Sequence, residues 1–315
     1  MDQLTAPTVL LSDPMLSLFE PALQAEGWRV AKAWELAAAD RAEVRAMVHA
    51  GDIHLPHAFL DALPNLGLIA CVGAGYDGVD VPRCRARGIE VTNAAGLNAA
   101  DVADQAMGLM IAGWRNILAG DRMIRDGLWR ESHRSPASAS LTGRRLGVVG
   151  LGAIGAASAR RAQAFDLKVA WWGPRPKPSS PWPRMDSLLD LAAWSDILLV
   201  ACRANAENRG MISGEVIEAV GPRGMIVNVA RGSVVDEEAL IAALKTGRLG
   251  HAGLDVFAEE PTPAARWADV PNVVLTPHSG STTAETIPRL LARTIENLRL
   301  FLAGRQVATP VPADP

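Results

Sequence analysis

The 315-residue sequence predicts an α/β fold of two domains, each built on a parallel sheet. Three observations carry this reading. Short apolar runs alternate with helical patterns along the whole length, the pattern of buried parallel strands joined by crossover helices. The length exceeds what one hydrophobic core usually organises. A long apolar helix splits the alternating runs into two series.

In the first series, the strands are expected at Val9–Leu11, Arg29–Ala31, Gly67–Val72 and Ile89–Thr92. A helix is expected over Pro14–Ala25, with Asp13 as N-cap and Pro14 at its first position, where the missing N–H costs nothing. The dividing helix covers Ala99–Leu118, "AADVADQAMGLMIAGWRNIL", and is apolar round most of its circumference, so it should be buried. A polar stretch, "RESHRSPASASLTG", follows. In the second series, strands are expected at Leu146–Val149, Lys168–Trp172, Ile197–Ala201, Met225–Val229, Ala252–Val256 and Val273–Leu275, and a last helix over Thr283–Leu302. The five prolines of "GPRPKPSSPWPR" (173–184) exclude helix and central strand, so that segment reads as a loop.

Composition narrows the function classes. Apolar residues make up 49% and charged residues 21%, and the formal net charge is −3 with no basic run, which argues against nucleic-acid and membrane-surface partners. Cys71, Cys84 and Cys202 lie far apart without a C-x-x-C pair, so neither a disulfide framework nor a metal site is expected. No signal peptide and no apolar run long enough for a transmembrane helix are apparent, and a cytoplasmic protein is expected.

The clearest motif is "RRLGVVGLGAIGAASARRAQAF". A strand, Gly147-Val148-Val149, runs into Gly150-Leu151-Gly152-Ala153-Ile154-Gly155 and then a helix over Ala156–Phe165. Gly150 permits the tight turn, Gly152 lets the backbone approach a pyrophosphate, and Gly155 lets helix pack on strand. The helix N-terminus offers its N–H groups, including those of Ala153 and Ile154, to phosphates. The alternative is a tight βα turn in another α/β protein, an S-adenosylmethionine-dependent methyltransferase among them. About 20 residues on, an acid usually takes the ribose hydroxyls. Here Gly173 occupies that place and Arg175 and Lys177 follow, which favours NADP(H) and leaves NAD(H) as the second choice.

Ligands of open α/β sheets bind beyond the carboxyl ends of strands. Arg231 follows the strand of "GMIVNVARGSVVDEEAL", Glu260 follows that of "LDVFAEEP", and His278 follows that of "VVLTPHSGS". Each alone has a bland reading, as a capping cation, a solvated loop acid or a structural histidine. Together with a nicotinamide they form a set for reducing a 2-keto acid. Arginine grips the carboxylate, histidine donates the proton, and glutamate favours the imidazolium and sets its tautomer.

"VVGLGAIG", "NVARGSVVDEEALIAALKTGRLGHAGLDVFAEEP" and "VVLTPHSG" closely resemble the D-isomer-specific 2-hydroxyacid dehydrogenases, as do "LPNLGLIACVGAGYDGVD" and "DVADQAMGLMIAGWRN". The likeness covers nearly the whole chain and is strongest to NADPH-dependent glyoxylate/hydroxypyruvate reductases and hydroxyphenylpyruvate reductases. It implies two Rossmann-like domains with a cleft between them: a discontinuous substrate domain, 1–98 with 285–315, and a dinucleotide-binding domain, 99–284. It implies that Arg231 binds the substrate carboxylate and carbonyl, His278 is the proton donor, and Glu260 pairs with His278. Asp255 would hold the nicotinamide carboxamide, with Val229, Ala230 and Gly280 also at the cofactor. The N–H groups of Gly73, Ala74 and Gly75 would hold the substrate carboxylate.

The chain departs from the family pattern at Cys202-Arg203, where cysteine-proline is usual, at Asn208, where threonine is common, and at Pro174, where NADPH-dependent relatives place an arginine that here falls at Arg175. Glu260 argues against formate as substrate, since glutamine stands there in formate dehydrogenases. At this length the regulatory domain usual in phosphoglycerate dehydrogenases is not expected. The expected activity is reduction of glyoxylate or hydroxypyruvate to the D-hydroxy acid. Aryl-pyruvates are the alternative, and a dinucleotide-sensing binding module of the same fold is the competitor from another class. The dividing helix and the resemblance point to a homodimer, with Trp129 from a partner subunit at the pocket and Leu55 among the residues that set substrate size.

Overall fold

The computed structural model describes residues 6–130 and 137–312. Residues 131–136 of the polar stretch after the dividing helix lie outside the described residues, as do 1–5 of the N-terminal segment. The chain forms two compact units, Met1–Asn98 with Ala284–Pro315, and Ala99–Thr283. Each carries a wholly parallel sheet, so the expected α/β fold is the observed one.

In the first unit the strands are β1 (Thr8–Leu11), β2 (Arg29–Lys32), β3 (Val44–His49), β4 (Leu68–Cys71) and β5 (Glu90–Thr92), in the order β2-β1-β3-β4-β5. Alternate residues face opposite layers. Leu10, Met47, Ile69 and Val91 pack under Leu60 and Leu63 on one side. Val9, Leu11, Ala46, Val48 and Leu68 pack under Leu290 and Leu298 on the other. The expected helix over Pro14–Ala25 divides into a 3₁₀ turn, Pro14–Phe19, and α1, Glu20–Ala25. Asp13 caps the turn by accepting from the Met15 N–H. The helices α2 (His57–Asp61) and α3 (Val81–Ala86) complete this stretch. No strand was expected at β3, whose sequence "VRAMVH" has an alanine and a charged arginine. Burial on both faces between β1 and β4 overrides that pattern.

The second unit opens with α4 (Ala99–Trp114) and α5 (Ile117–Arg125). The single buried helix expected over Ala99–Leu118 is therefore corrected. Its buried face ends at Trp114, whose indole N–H donates to the Ser140 carbonyl, and Asn116 breaks the helix in the left-handed region at φ +54°. Asparagine tolerates that region better than most residues. No α5 residue is buried.

The remaining elements are β6 (Arg145–Val149), α6 (Ala153–Ala164), β7 (Lys168–Trp172), α7 (Leu188–Trp194), β8 (Ile197–Val200), α8 (Gly214–Val220), β9 (Met225–Asn228), α9 (Glu237–Lys245), β10 (His251–Leu254), α10 (Ala264–Trp267) and β11 (Val273–Leu275). The sheet runs β11-β10-β9-β8-β6-β7, with α4 and α6 on one face and α7, α8 and α9 on the other. The chain then enters α11 (Thr286–Leu302), which lies in the first unit. Register aligns Trp172, Val149, Val200, Asn228, Leu254 and Leu275 in one row across the sheet. The residues that follow them therefore emerge together along its carboxyl edge. β6 pairs with β7 on one side and with β8 on the other, so the chain reverses its direction of winding at β6.

Candidate active site

The glycine turn sits at that reversal, where a parallel sheet opens a crevice for a ligand. Gly150, at φ +90°, has the Cys202 Cα 2.5 Å from where a Cβ would stand, so its place admits no side chain. Gly155 is equally confined, with the Gly150 carbonyl oxygen 2.2 Å from its Cβ position. Gly152 differs: nothing lies within 4 Å of its Cβ position, and it is the N-cap of α6. A surface that bare, beside the first-turn N–H groups of Ala153 and Ile154, fits a pyrophosphate. The helix begins at Ala153, not at Ala156 as expected, because the second half of the glycine motif is already helical.

The end of β7 abuts this turn. The Gly150 N–H donates to the Trp172 carbonyl, and Gly173 follows. Arg175 and Lys177 are exposed on the proline-rich loop, and the Lys177 ammonium donates to the carbonyl of Leu151 inside the glycine turn. The residues fit a dinucleotide: an open glycine, a helix N-terminus and cations in place of the ribose-binding acid. A half-buried thiol, that of Cys202, stands alongside. Burial pushes the Cys202 pKa up to about 11, so it behaves as a small apolar group at neutral pH.

At the other end of the edge, Arg231, Glu260 and His278 come together from β9, β10 and β11. Asn228 holds the turn after β9, its side chain accepting from the Ala230 N–H at 3.0 Å and donating to the Arg231 carbonyl at 3.0 Å. Val229 and Ala230 are buried beside it, and Arg231 Nη1 donates to the Ala230 carbonyl. Gly232 then passes against the next loop, its Cβ position 1.9 Å from the Phe257 carbonyl carbon. His278 Nδ1 and Glu260 Oε2 are 2.6 Å apart, and Glu260 Oε1 accepts from the Phe257 N–H at 2.9 Å. Burial opposes the charge on Glu260. The bonds from His278 and Phe257 and the nearby charges of His278 and Arg231 outweigh it, holding the carboxyl below its usual range.

His278 takes a left-handed backbone, φ +49°, which an ordinary residue keeps only when its surroundings impose it. Asp255 does so. It is 2% exposed, and its carboxylate accepts from the Thr276 hydroxyl (2.6 Å) and from the N–H groups of Ser279 (3.0 Å) and Gly280 (2.9 Å). Its own carbonyl accepts from the His278 N–H at 2.8 Å, and Gln105 of α4 donates to Thr276 Oγ1. Sequence reading missed this support. It also missed Glu237, 7% exposed, which accepts from the Ala258 N–H and from Arg266 Nε and so ties the Glu260 loop to α9 and α10. The acidic run "DEEAL" reads as a helix start. Only folding distinguishes Asp236, which caps α9, from Glu237, which reaches another loop.

Gly73, Ala74 and Gly75 follow β4 in the first unit. The Gly73 carbonyl accepts from the Ala94 N–H and the Ala74 carbonyl from Asn93 Nδ2 at 2.7 Å. The loop after β3 is zipped to this segment by Gly78 N–H to Gly51 carbonyl and Leu55 N–H to Gly78 carbonyl bonds. It is anchored by buried His49, whose Nε2 donates to the Ile53 carbonyl and whose Nδ1 accepts from Ser12 Oγ. Leu55 is buried there.

A parallel sheet with an open glycine turn at its point of reversal, and an arginine, glutamate and histidine at its carboxyl edge, defines an NAD(P)-dependent dehydrogenase. Residues 107–280 match the family model of the D-isomer specific 2-hydroxyacid dehydrogenase, NAD binding domain, and the chain belongs to that family. It is 37% identical over 309 residues to a hydroxyphenylpyruvate reductase of Plectranthus scutellarioides, covering 96% of this chain and 98% of that one. Identity to a glyoxylate/hydroxypyruvate reductase A of Arabidopsis thaliana is 35%, with the same coverage. Among solved structures, the NADPH-dependent glyoxylate/hydroxypyruvate reductase of Sinorhizobium meliloti, in complex with NADP and malonate, superposes with a TM-score of 0.90. It is 34% identical, over 97% of this chain and 96% of that one.

Proposed function

We propose that the protein reduces glyoxylate or hydroxypyruvate to the D-2-hydroxy acid with NADPH. The observation that carries this is the 2.6 Å pairing of His278 Nδ1 with Glu260, within the electrostatic reach of Arg231, at the carboxyl edge of a dinucleotide-binding sheet. The nicotinamide, when bound, supplies the hydride. Arg231 grips the 2-keto acid's carboxylate and draws charge onto its ketone oxygen as that oxygen becomes an alkoxide. Glu260 fixes the tautomer that keeps a proton on Nδ1, so that His278 delivers its proton from Nε2. Asp255 sets the turn that carries the ring, and a carboxamide is a second use for its carboxylate. Gly73, Ala74 and Gly75 offer N–H groups to the substrate carboxylate, which makes 1–98 with 285–315 the substrate domain and 99–284 the cofactor domain. Gly150, Gly152 and Gly155 receive the pyrophosphate, with Val229, Ala230 and Gly280 along the rest of the cofactor. Arg175 and Lys177 favour its 2′-phosphate.

A panel of glyoxylate, hydroxypyruvate and aryl-pyruvates with NADPH and NADH tests the reading. Rapid NADPH oxidation with the small acids supports it. Faster turnover of 4-hydroxyphenylpyruvate transfers the assignment to the aryl substrates that the Plectranthus relative is named for. Tight dinucleotide binding with no turnover identifies a binding module.

We further propose a homodimer. Ile117, Leu118, Ile124, Leu128 and Trp129 are all exposed on and beyond α5, an apolar surface of the kind that a second subunit covers. Light scattering that finds a monomer ends this proposal. Among the described residues no helix is long and apolar enough to cross a membrane. Three free cysteines fit a reducing cytoplasm, which fractionation checks.

A further inference from the structure

The loop after β7 returns a third cation to the place of the missing acid. Its far end runs parallel to β7, the Trp171 N–H donating to the Pro183 carbonyl at 3.0 Å and the Met185 N–H to the Trp171 carbonyl at 2.8 Å. That pairing carries Arg184 back beside Gly173, eleven positions earlier in sequence. Its Nε and Nη2 both donate to the Gly173 carbonyl, at 3.2 and 2.9 Å, and its guanidinium lies 6.0 Å over the ring of Trp171. The Trp171 ring is also what a Cβ at Gly173 would touch, at 3.4 Å. Arg184 and a side chain at 173 would thus both border the same ring. Glycine removes the acid, and among the described residues no carboxylate stands within ion-pair distance of Arg184.

The loop is built to hold this arrangement. Trp171 is buried and its indole N–H donates to the Trp182 carbonyl, while Ser180 Oγ bonds both the N–H and the carbonyl of Trp182. Two of the guanidinium's five N–H donors face the Gly173 carbonyl, and Arg184 is exposed, so the rest of the fork reaches solvent beside the turn. An arginine held in place by a carbonyl and an aromatic ring is a pre-organised phosphate ligand. We infer that Arg184 is a determinant of cofactor choice, binding the 2′-phosphate of NADP(H) next to Gly173. This rests on the NADP(H) reading above and adds to Arg175 and Lys177 a residue that sequence spacing does not reveal.

The test is calorimetric titration with 2′,5′-ADP and 5′-AMP, which differ by the phosphate in question, alongside kcat/KM for NADPH and NADH. Arg184→Ala should weaken 2′,5′-ADP about tenfold, leave 5′-AMP unchanged and lower the NADPH/NADH ratio in step, the size expected for one charge-assisted bond. Arg184→Lys, which keeps the charge, should retain part of the preference, and added salt should erode it. Gly173→Asp should engage Arg184 and turn the preference toward NADH. Equal weakening of both nucleotides in Arg184→Ala overturns the inference, since it marks a purely structural arginine. Unchanged binding of both overturns it while leaving the NADP(H) reading intact. A wild type that binds 5′-AMP as well as 2′,5′-ADP removes that reading and the inference with it.

Discussion

The two ends of the second unit's carboxyl edge are built differently. At β9–β11, Arg231, Glu260 and His278 are held by buried polar groups, with Asn228, Asp255 and Glu237 each bonded to backbone of the turns that carry them and Thr276 donating to the Asp255 carboxylate. At β6–β7, the glycine turn is shaped by exclusion, and the cations Arg175, Lys177 and Arg184 stand exposed around it. Proton transfer and carboxylate clamping need geometry held to fractions of an ångström, so that end is over-determined. Selecting a phosphate needs charge within reach, and a solvated loop suffices. Substitutions at the first end should therefore change the rate, and those at the second should change which cofactor is used.

The largest effect should come from His278→Ala. Turnover should fall roughly 10²–10⁴-fold, the range for a lost general acid, while NADPH affinity by fluorescence titration stays as in the wild type. Loss of cofactor affinity instead would place His278 at the other end of the edge. Arg231→Ala should lower kcat/KM for the keto acid about 100-fold, through both KM and kcat, because the clamp acts in the ground and transition states. Unchanged steady-state kinetics would remove Arg231 from the site.

Glu260→Gln sharpens the contrast through pH. Reduction needs protonated His278, so its rate is lost as pH rises through the histidine pKa. An adjacent carboxylate favours the imidazolium, and removing its charge should move the alkaline limb of the kcat/KM profile to lower pH. Glu260 titrates below the usual carboxylate range, so the wild-type pairing should persist until the pH falls below that range. A limb that stays in place would refute the pairing.

Smaller still is Glu237→Gln, which keeps an acceptor for the Ala258 N–H but uncouples the charge of Arg266. It should cost about 1–3 kcal/mol in stability, read as a lower melting temperature, with kcat reduced only several-fold. A wild-type melting curve would show that this network does not hold the Glu260 loop.

Much of the molecule was legible in advance. The α/β class, the glycine turn and the strands that end at Arg231, Glu260 and His278 all announce themselves through local patterns. Central strands are apolar runs, and the glycine spacing reflects contacts made within a single βα unit. β3 was not legible, because alanine-rich "RAMVHA" becomes a strand only when sheets of neighbours bury both its faces. The break at Asn116 was likewise hidden, since the apolar pattern continues past it to Leu118 although the buried face stops at Trp114.

By itself, then, the sequence determined the fold class, the nucleotide-binding turn and the chemical types placed at strand ends. The tertiary structure decided which polar residues support them. Asp255 under the His278 turn, Glu237 reaching Ala258, Gln105 on Thr276 and Arg184 beside Gly173 join residues between 11 and 171 positions apart. The physical reason is the difference in range. Propensity and periodicity are set by neighbours along the chain, whereas a buried carboxylate or an anchored guanidinium takes its role from whatever donors, acceptors and rings the sheet register brings beside it.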